Sequence, residues 1–307
     1  MTGWPATVTF RPYRVVPVAL LLVLMLLGPL SEFALPGHPV TAQAGGWWRP
    51  EPGLDWQMQL TGEPDLDHGR DVFFLDLFAA QDVVSAQLRE RGTRIVCYFS
   101  AGSYEDWRED AATFPPRIVG DPMIGWEGEW WLDIRQPELR PIIERRLDLA
   151  VTRGCDGVDP DNVDGFANPT GFSLSNDDQL AFNRWLAGAA HDRGLAIGLK
   201  NDLDQIPALV EDFDWQVNEQ CAEFDECGVL LPFIEHGKPV FGLEYPAEAR
   251  QSLEARAEEV CPDANRLGLD TIVKPYDLTA PRVVCRGFHD EPAAPVEELE
   301  RTTQRSA

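Results

Sequence analysis

The chain reads as an α/β protein, a single (β/α)8 TIM barrel preceded by a signal peptide. Three observations carry that reading. Short β-branched or aromatic runs alternate with longer helical patterns, the mark of repeated βα units around a parallel sheet. Several runs stay apolar until a polar residue closes them, as in Val-Phe-Phe-Leu-Asp76, which suits strands buried on both faces. From Gly45 to Gly287 there are about 240 residues, close to the ~250 of one such barrel.

At the N-terminus, Arg11 and Arg14 precede an apolar run from Val15 to Leu30, and Ala42-Gln43-Ala44 supplies an A-x-A cleavage pattern. Residues 1–44 therefore read as a signal peptide, with the mature chain starting at Gly45. An uncleaved membrane anchor is the competing reading, and Pro17, Gly28 and Pro29 argue against it. The expectation is a secreted, extracellular protein with no stable membrane association after cleavage.

Eight runs are expected as strands: residues 56–60, 71–78, 94–100, 157–161, 195–201, 215–221, 239–245 and 270–276. Between them, Ser175 is placed to cap a helix in which Phe182, Trp185, Leu186, Ala189 and Ala190 form one apolar stripe before Gly194. Ile143, Leu147, Ala150 and Val151 repeat that spacing ahead of Gly154. Residues 101–133 are long, rich in Trp and Gly and too irregular for a simple connection, so they predict an elaborated loop over the barrel mouth. The barrel domain is bounded at residues 45–287, and residues 288–307 read as a flexible tail.

Six cysteines in an exported chain, none with C-x2-C spacing, fit disulfides rather than a zinc site. Cys221 with Cys227 is the local bridge expected, and Cys261 with Cys285 is placed to close the C-terminal segment. Cys97 and Cys155 fall on neighbouring strands, as a bonded or a simply buried pair. A formal charge of −25 argues against nucleic acid and anionic membranes, and admits a cationic partner.

In this fold the chemistry sits at the C-terminal ends of the strands. The polar residues there are Asp76, Tyr98 with Ser100, Asp159-Pro-Asp161-Asn162, Lys200-Asn201, Asn218-Glu219, Glu244-Tyr245 and Lys274. Glycosidic cleavage needs two carboxyls, one to protonate the departing oxygen and one to attack the anomeric carbon or activate water. Aromatic residues near the expected mouth, Trp126, Trp130, Trp131, Tyr98 and Tyr245, are of the type that holds sugar rings. A calcium loop from Asp159 fails at Val163 and Thr170, and no H-E-x-x-H, G-x-S-x-G or Gly-rich phosphate loop occurs. No metal or other cofactor is expected.

The segments Cys155-Asp-Gly-Val-Asp-Pro-Asp-Asn-Val-Asp-Gly-Phe166 and Asn218-Glu-Gln-Cys-Ala-Glu-Phe-Asp-Glu-Cys227 together resemble glycoside hydrolase family 114. Tyr98-Phe-Ser-Ala-Gly102, Trp131-Leu-Asp-Ile134, Leu199-Lys-Asn201 and Val240-Phe-Gly-Leu-Glu-Tyr245 extend the similarity from about Trp56 to Tyr276. The resemblance implies a (β/α)8 barrel acting as an endo-α-1,4-polygalactosaminidase on galactosamine-containing exopolysaccharide. Carried over by position, it puts the catalytic pair on Asp161 and Glu219, leaving open which is acid and which is nucleophile or base, with Asp159 or Glu244 as alternatives. Asp76, Tyr98, Trp131, Asp133, Asp159, Asn162, Asn201, Glu244 and Tyr245 are the expected substrate-binding residues. Of these, Asp76, Asp133, Asp159 and Glu244, with Asp164, are acids suited to pairing with substrate ammonium groups. A non-catalytic carbohydrate-binding barrel, or a glycosidase for a different polysaccharide, is the alternative reading.

Overall fold

The computed structural model describes residues 46–67, 69–80 and 82–288; the expected signal peptide, and the expected tail beyond Phe288, lie outside the described residues. The strands are β1 Trp56–Gln59, β2 Val72–Asp76, β3 Arg94–Ser100, β4 Ser103–Glu105, β5 Val119–Pro122, β6 Glu129–Leu132, β7 Gly157–Asp161, β8 Ala196–Lys200, β9 Trp215–Glu219, β10 Val240–Glu244, β11 Asp270–Val273 and β12 Val283–Val284. The α-helices are α1 Asp82–Glu90, α2 Arg140–Arg153, α3 Asn176–His191, α4 Ile206–Leu209, α5 Leu231–Glu235 and α6 Leu253–Leu267.

All eight expected runs are strands of one sheet, in the order β1-β2-β3-β7-β8-β9-β10-β11 with the short β12 appended antiparallel. The eight pair in parallel with their neighbours in chain order, and the sheet curls until its ends meet. There the Trp56 indole donates to the Asp270 carbonyl at 2.6 Å, Lys274 Nζ donates to Gln57 Oε1 at 2.9 Å, and the Leu60 amide donates to the Leu278 carbonyl at 3.1 Å.

Strand periodicity divides the apolar residues into two cores. On the outer face Phe73, Leu75, Ile95, Val158, Ile197, Leu199 and Val240 pack with helix residues such as Leu88, Leu147, Phe182 and Leu186. On the inner face Trp56, Phe74, Trp215 and Phe241 fill the barrel, with ring centroids 5.0 to 5.4 Å apart among Trp56, Phe74 and Phe241. Trp215 fits only because its neighbours lack side chains. A Cβ on Gly198 would lie 2.1 Å from its indole nitrogen, and one on Gly157 2.7 Å from its ring.

The helices follow their sequence marks. Ser175 Oγ accepts a hydrogen bond from the Asp178 amide and the Asp178 carboxylate accepts one from the Ser175 amide, a capping box that starts α3. Gly154 closes α2 at φ 74°. The buried stripe of α2 is Ile142, Ile143, Arg146, Leu147 and Ala150, whereas Val151 is exposed. Arg146 displaces it because its guanidinium is needed inside, where it meets Asp110 at 2.8 Å and the Ser100 carbonyl at 2.6 Å.

Residues 101–133 are more ordered than an irregular loop: they contain an antiparallel sheet, β4-β6-β5. Its far-apart strands pair only through long-range contacts, which local pattern does not reveal. Three disulfides form, Cys97–Cys155, Cys221–Cys227 and Cys261–Cys285. Phe288 packs against the outer core.

Two glycines test the packing. Gly198→Ala is expected to destabilise the fold by about 1–3 kcal/mol, because the barrel interior has no room for overpacking. Gly188→Ala, in α3 with open space around its Cβ position, is expected to be neutral or stabilising by up to about 1 kcal/mol. Denaturant titration of both variants checks the contrast.

Candidate active site

The inner-face alternation that buries Trp215 and Val217 brings Glu219 to the barrel mouth, and the same parity brings up Tyr98, Asp161, Lys200 and Tyr245. These groups form one hydrogen-bonded cluster. Lys200 Nζ lies 3.3 Å from Asp161 Oδ2 and 3.1 Å from Glu219 Oε2. The Tyr98 hydroxyl donates to Asp161 Oδ2 at 3.0 Å, the Asn162 amide donates to Asp161 Oδ1 at 2.8 Å, and the Tyr245 hydroxyl donates to Glu219 Oε1. Burial, with Asp161 and Glu219 respectively beside them, pushes both tyrosines well above their usual range, so they serve as neutral donors. Burial alone would favour neutral Lys200, but Asp161, Glu219 and Asp159 outweigh it and hold the ammonium well above the usual lysine range.

The cluster floors a cleft of about 1000 Å³. Asp76, Tyr98, Asp161, Asn162, Asn201, Glu219 and Tyr245 all line it. Asp76 is occupied there: one oxygen caps the amides of Phe78 and Ala79, and the other pairs with Arg108 at 2.6 Å. Asn162, in the left-handed region at φ 60°, donates to Ser100 Oγ and Glu129 Oε1, tying the barrel to the small sheet. Asn201, at φ 50°, accepts the Glu219 amide at 3.0 Å and so fixes the end of β9.

Four other sequence-predicted residues lie away from the cleft lining. Glu244 shares the outward parity of Val240, and its carboxylate accepts from the Ala222 amide and pairs with Arg256 at 3.0 Å. Trp131 is buried within the small sheet at 6% exposure. Asp133 is held by Arg135 and Gln136. Asp159 points inward one layer below Asp161, fully buried, and neither of its oxygens has a hydrogen-bond partner among the described residues.

The cleft also contains residues that strand-end reading passed over. Glu129 comes from the small sheet; Asp202, Asp204, Glu226 and Asp277 follow strand ends, and Trp107, Phe224 and Tyr276 sit exposed at its rim. Asp202, the residue after Lys200-Asn201, was within reach of a slightly wider window; the others depend on loop paths. Burial pushes Glu129 up to about 7, with Glu105 and Asp161 adding to the rise, and pushes Asp202 up to about 8 beside Asp164. Asp164 is pushed up to about 6 by burial and by Asp161. Cys221, Cys227 and Glu244 lie close enough to share an ion, but the sulfurs are bonded to each other and Glu244 to Arg256. Among the described residues no helix is long and apolar enough to cross a membrane.

Burial pushes the Asp159 carboxyl up to about 7, partly offset by Lys200 and reinforced by Asp161 and Glu219. Between its unfolded and folded pKa the native state binds the extra proton, so stability is greatest below that window and falls as pH rises through it. Asp159→Asn is expected to remove about 2 kcal/mol of the stability lost between about pH 5 and 8. Denaturant midpoints of both proteins at the two pH values measure this; an unchanged loss would put the buried charge elsewhere.

The model of glycoside-hydrolase family GH114 matches residues 37–289. Among solved structures, Aspergillus fumigatus Ega3, in complex with galactosamine, is similar at 38% identity and a TM-score of 0.75, over 78% of this chain and 98% of that one. The glycoside hydrolase domain of PelA from Pseudomonas aeruginosa shares the fold, with a TM-score of 0.61 at 17% identity over 75% of this chain and 98% of that one. A curated relative, uncharacterized protein MJ1477 of Methanocaldococcus jannaschii, is 29% identical over 105 residues; that is 33% of this chain, and the chain spans 30% of that protein's length. With the family match running through the barrel and its mouth, the chain belongs to glycoside-hydrolase family GH114 and is a glycoside hydrolase.

Proposed function

We propose that the protein is an exported, endo-acting hydrolase of α-1,4-linked galactosamine-containing polysaccharide, with Asp161 and Glu219 as its working carboxyl pair. The observation that carries this reading is the meeting of those two carboxyls on one buried ammonium at the floor of an acidic cleft. Among the lining residues the cations are Lys200 and Arg108, and both are already paired with acids. Asp164, Asp202, Asp204, Glu226 and Asp277 remain along the walls. An amine-bearing polymer supplies the positive charges such a cleft attracts. Trp126 and Tyr276, half or more exposed and stacked 6.2 Å apart, offer ring faces to sugars at the mouth. Similarity to Ega3, solved with galactosamine, supports the same sugar. Three disulfides suit an oxidising compartment outside the cytoplasm.

Both carboxyls use both oxygens as acceptors, but Asp161 alone of the two also holds a backbone amide, that of Asn162, and we read this more firmly held group as the nucleophile. Glu219 has the more exposed side chain, 27% against 19%, and suits the acid that meets the leaving oxygen. Because one nitrogen lies 3.3 and 3.1 Å from the two facing oxygens, those oxygens are at most about 6.4 Å apart. That limit accommodates the roughly 5–5.5 Å separation of a retaining pair, and retention is the course proposed here.

Protein starting at Gly45, incubated with partly deacetylated poly-α-1,4-galactosamine, is expected to release short oligomers with new reducing ends. Asp161→Asn and Glu219→Gln are expected to lower that rate by roughly 10²–10⁴-fold. Proton NMR of the first products should show the α anomer, and β product first would refute retention. Polymer bound but never cut would make the protein a binding barrel, and neither binding nor cutting would rule out this substrate.

A further inference from the structure

Asp161 and Glu219 do not end neighbouring strands: β8 lies between β7 and β9. Adjacent strands are about 4.8 Å apart, so the two strand ends are separated by about 10 Å before their side chains lean. Upright carboxyls on such a frame keep the wide gap of an inverting pair. Two like charges drawn closer repel unless an opposite charge lies between them.

Lys200 ends the intervening strand and supplies that charge. Its side chain is 3% exposed, and its nitrogen contacts one oxygen from each carboxyl. The Tyr98 ring walls the ammonium, with its centroid 5.6 Å from Nζ. Asp159, two residues before Asp161 on the same inner face, lies fully buried and acts electrostatically on the lysine, its two oxygens having no hydrogen-bond partner among the described residues. Such an arrangement costs several kcal/mol of desolvation per ion. Apolar filling of the kind seen one layer lower, at Trp215 and Phe241, carries no such cost.

We propose that Lys200 is the positioning residue of this site: its ammonium sets the separation of Asp161 and Glu219, and thereby the retaining course. The proposal rests on the reading of Asp161 and Glu219 as the working pair. Lys200 acts through the two carboxyls whose oxygens it contacts, and neither gives up a proton to the substrate nor bonds to it.

The test uses Lys200→Met, which keeps length and removes charge, Lys200→Arg, which keeps charge, and Asp159→Asn/Lys200→Met, which leaves no buried carboxylate without its cation if the single variant folds poorly. Crystal structures without substrate give the first readout. The facing oxygens of Asp161 and Glu219 are expected to move apart by about 1 Å or more when the charge is lost. Kinetics on the polymer give the second: kcat is expected to fall about 100-fold with KM within about threefold, and Lys200→Arg to recover at least about tenfold. Facing oxygens that stay in place in either methionine variant, or an unchanged kcat, would overturn the proposal. Lost stability without that split would mean a structural role only. If the wild-type protein leaves the polymer uncut, the substrate reading fails while the crystallographic separation still decides what Lys200 does.

Discussion

One buried ammonium holds the floor of this cleft together. Lys200 contacts Asp161 and Glu219, and the hydroxyls of Tyr98 and Tyr245 complete the cluster from the strands beyond. Every member comes from an alternating inward position within two residues of the C-terminal end of a parallel strand, so the geometry depends on barrel register. A one-residue slip in any of these strands would turn its contribution toward the helices. The aromatic filling below, seated over Gly157 and Gly198, fixes that register and gives the cluster a dry base.

Around this floor the protein invests in acids. Some are consumed structurally: Asp76 and Glu105 hold Arg108, Asp110 holds Arg146, and Glu244 holds Arg256. The pairs of Arg108 and Arg146 fasten the segment that carries the small antiparallel sheet to the barrel, and Glu244 and Arg256 hold the loop after β9 through the Ala222 amide and Glu223. Others stay along the cleft, and burial raises Glu129, Asp164 and Asp202 toward or beyond neutrality. A cation entering the cleft favours their ionised forms.

The barrel was legible because its strands are buried on both faces and so appear as apolar runs with polar ends. The capping box at Ser175 and the glycine after α2 were legible because helix ends obey local rules. Asp161, Glu219, Tyr98, Asn201 and Tyr245 stood out as polar groups closing apolar runs, and all line the cleft. Glu244 also closes such a run, yet alternation makes it opposite to Tyr245 and sends it to Arg256. Asp159 has the right parity but lies one layer too deep, a depth that strand stagger sets and spacing does not report. Trp131 and Asp133 belong to an insertion whose pairing is long-range, and Glu226 and Asp277 reach the cleft through loop paths. Lys200 was visible as a strand end; its contact with both carboxyls depends on β8 lying between β7 and β9.

The most direct test of a retaining two-carboxylate mechanism is intact and peptide mass spectrometry of Glu219→Gln after exposure to an α-galactosaminyl fluoride. The fluoride leaves without acid help, whereas the glycosyl-enzyme that follows needs the missing carboxylate to activate water. One sugar is expected per chain, carried by the peptide that contains Asp161. A sugar on a different residue, or turnover to inverted product with no adduct, would contradict that mechanism.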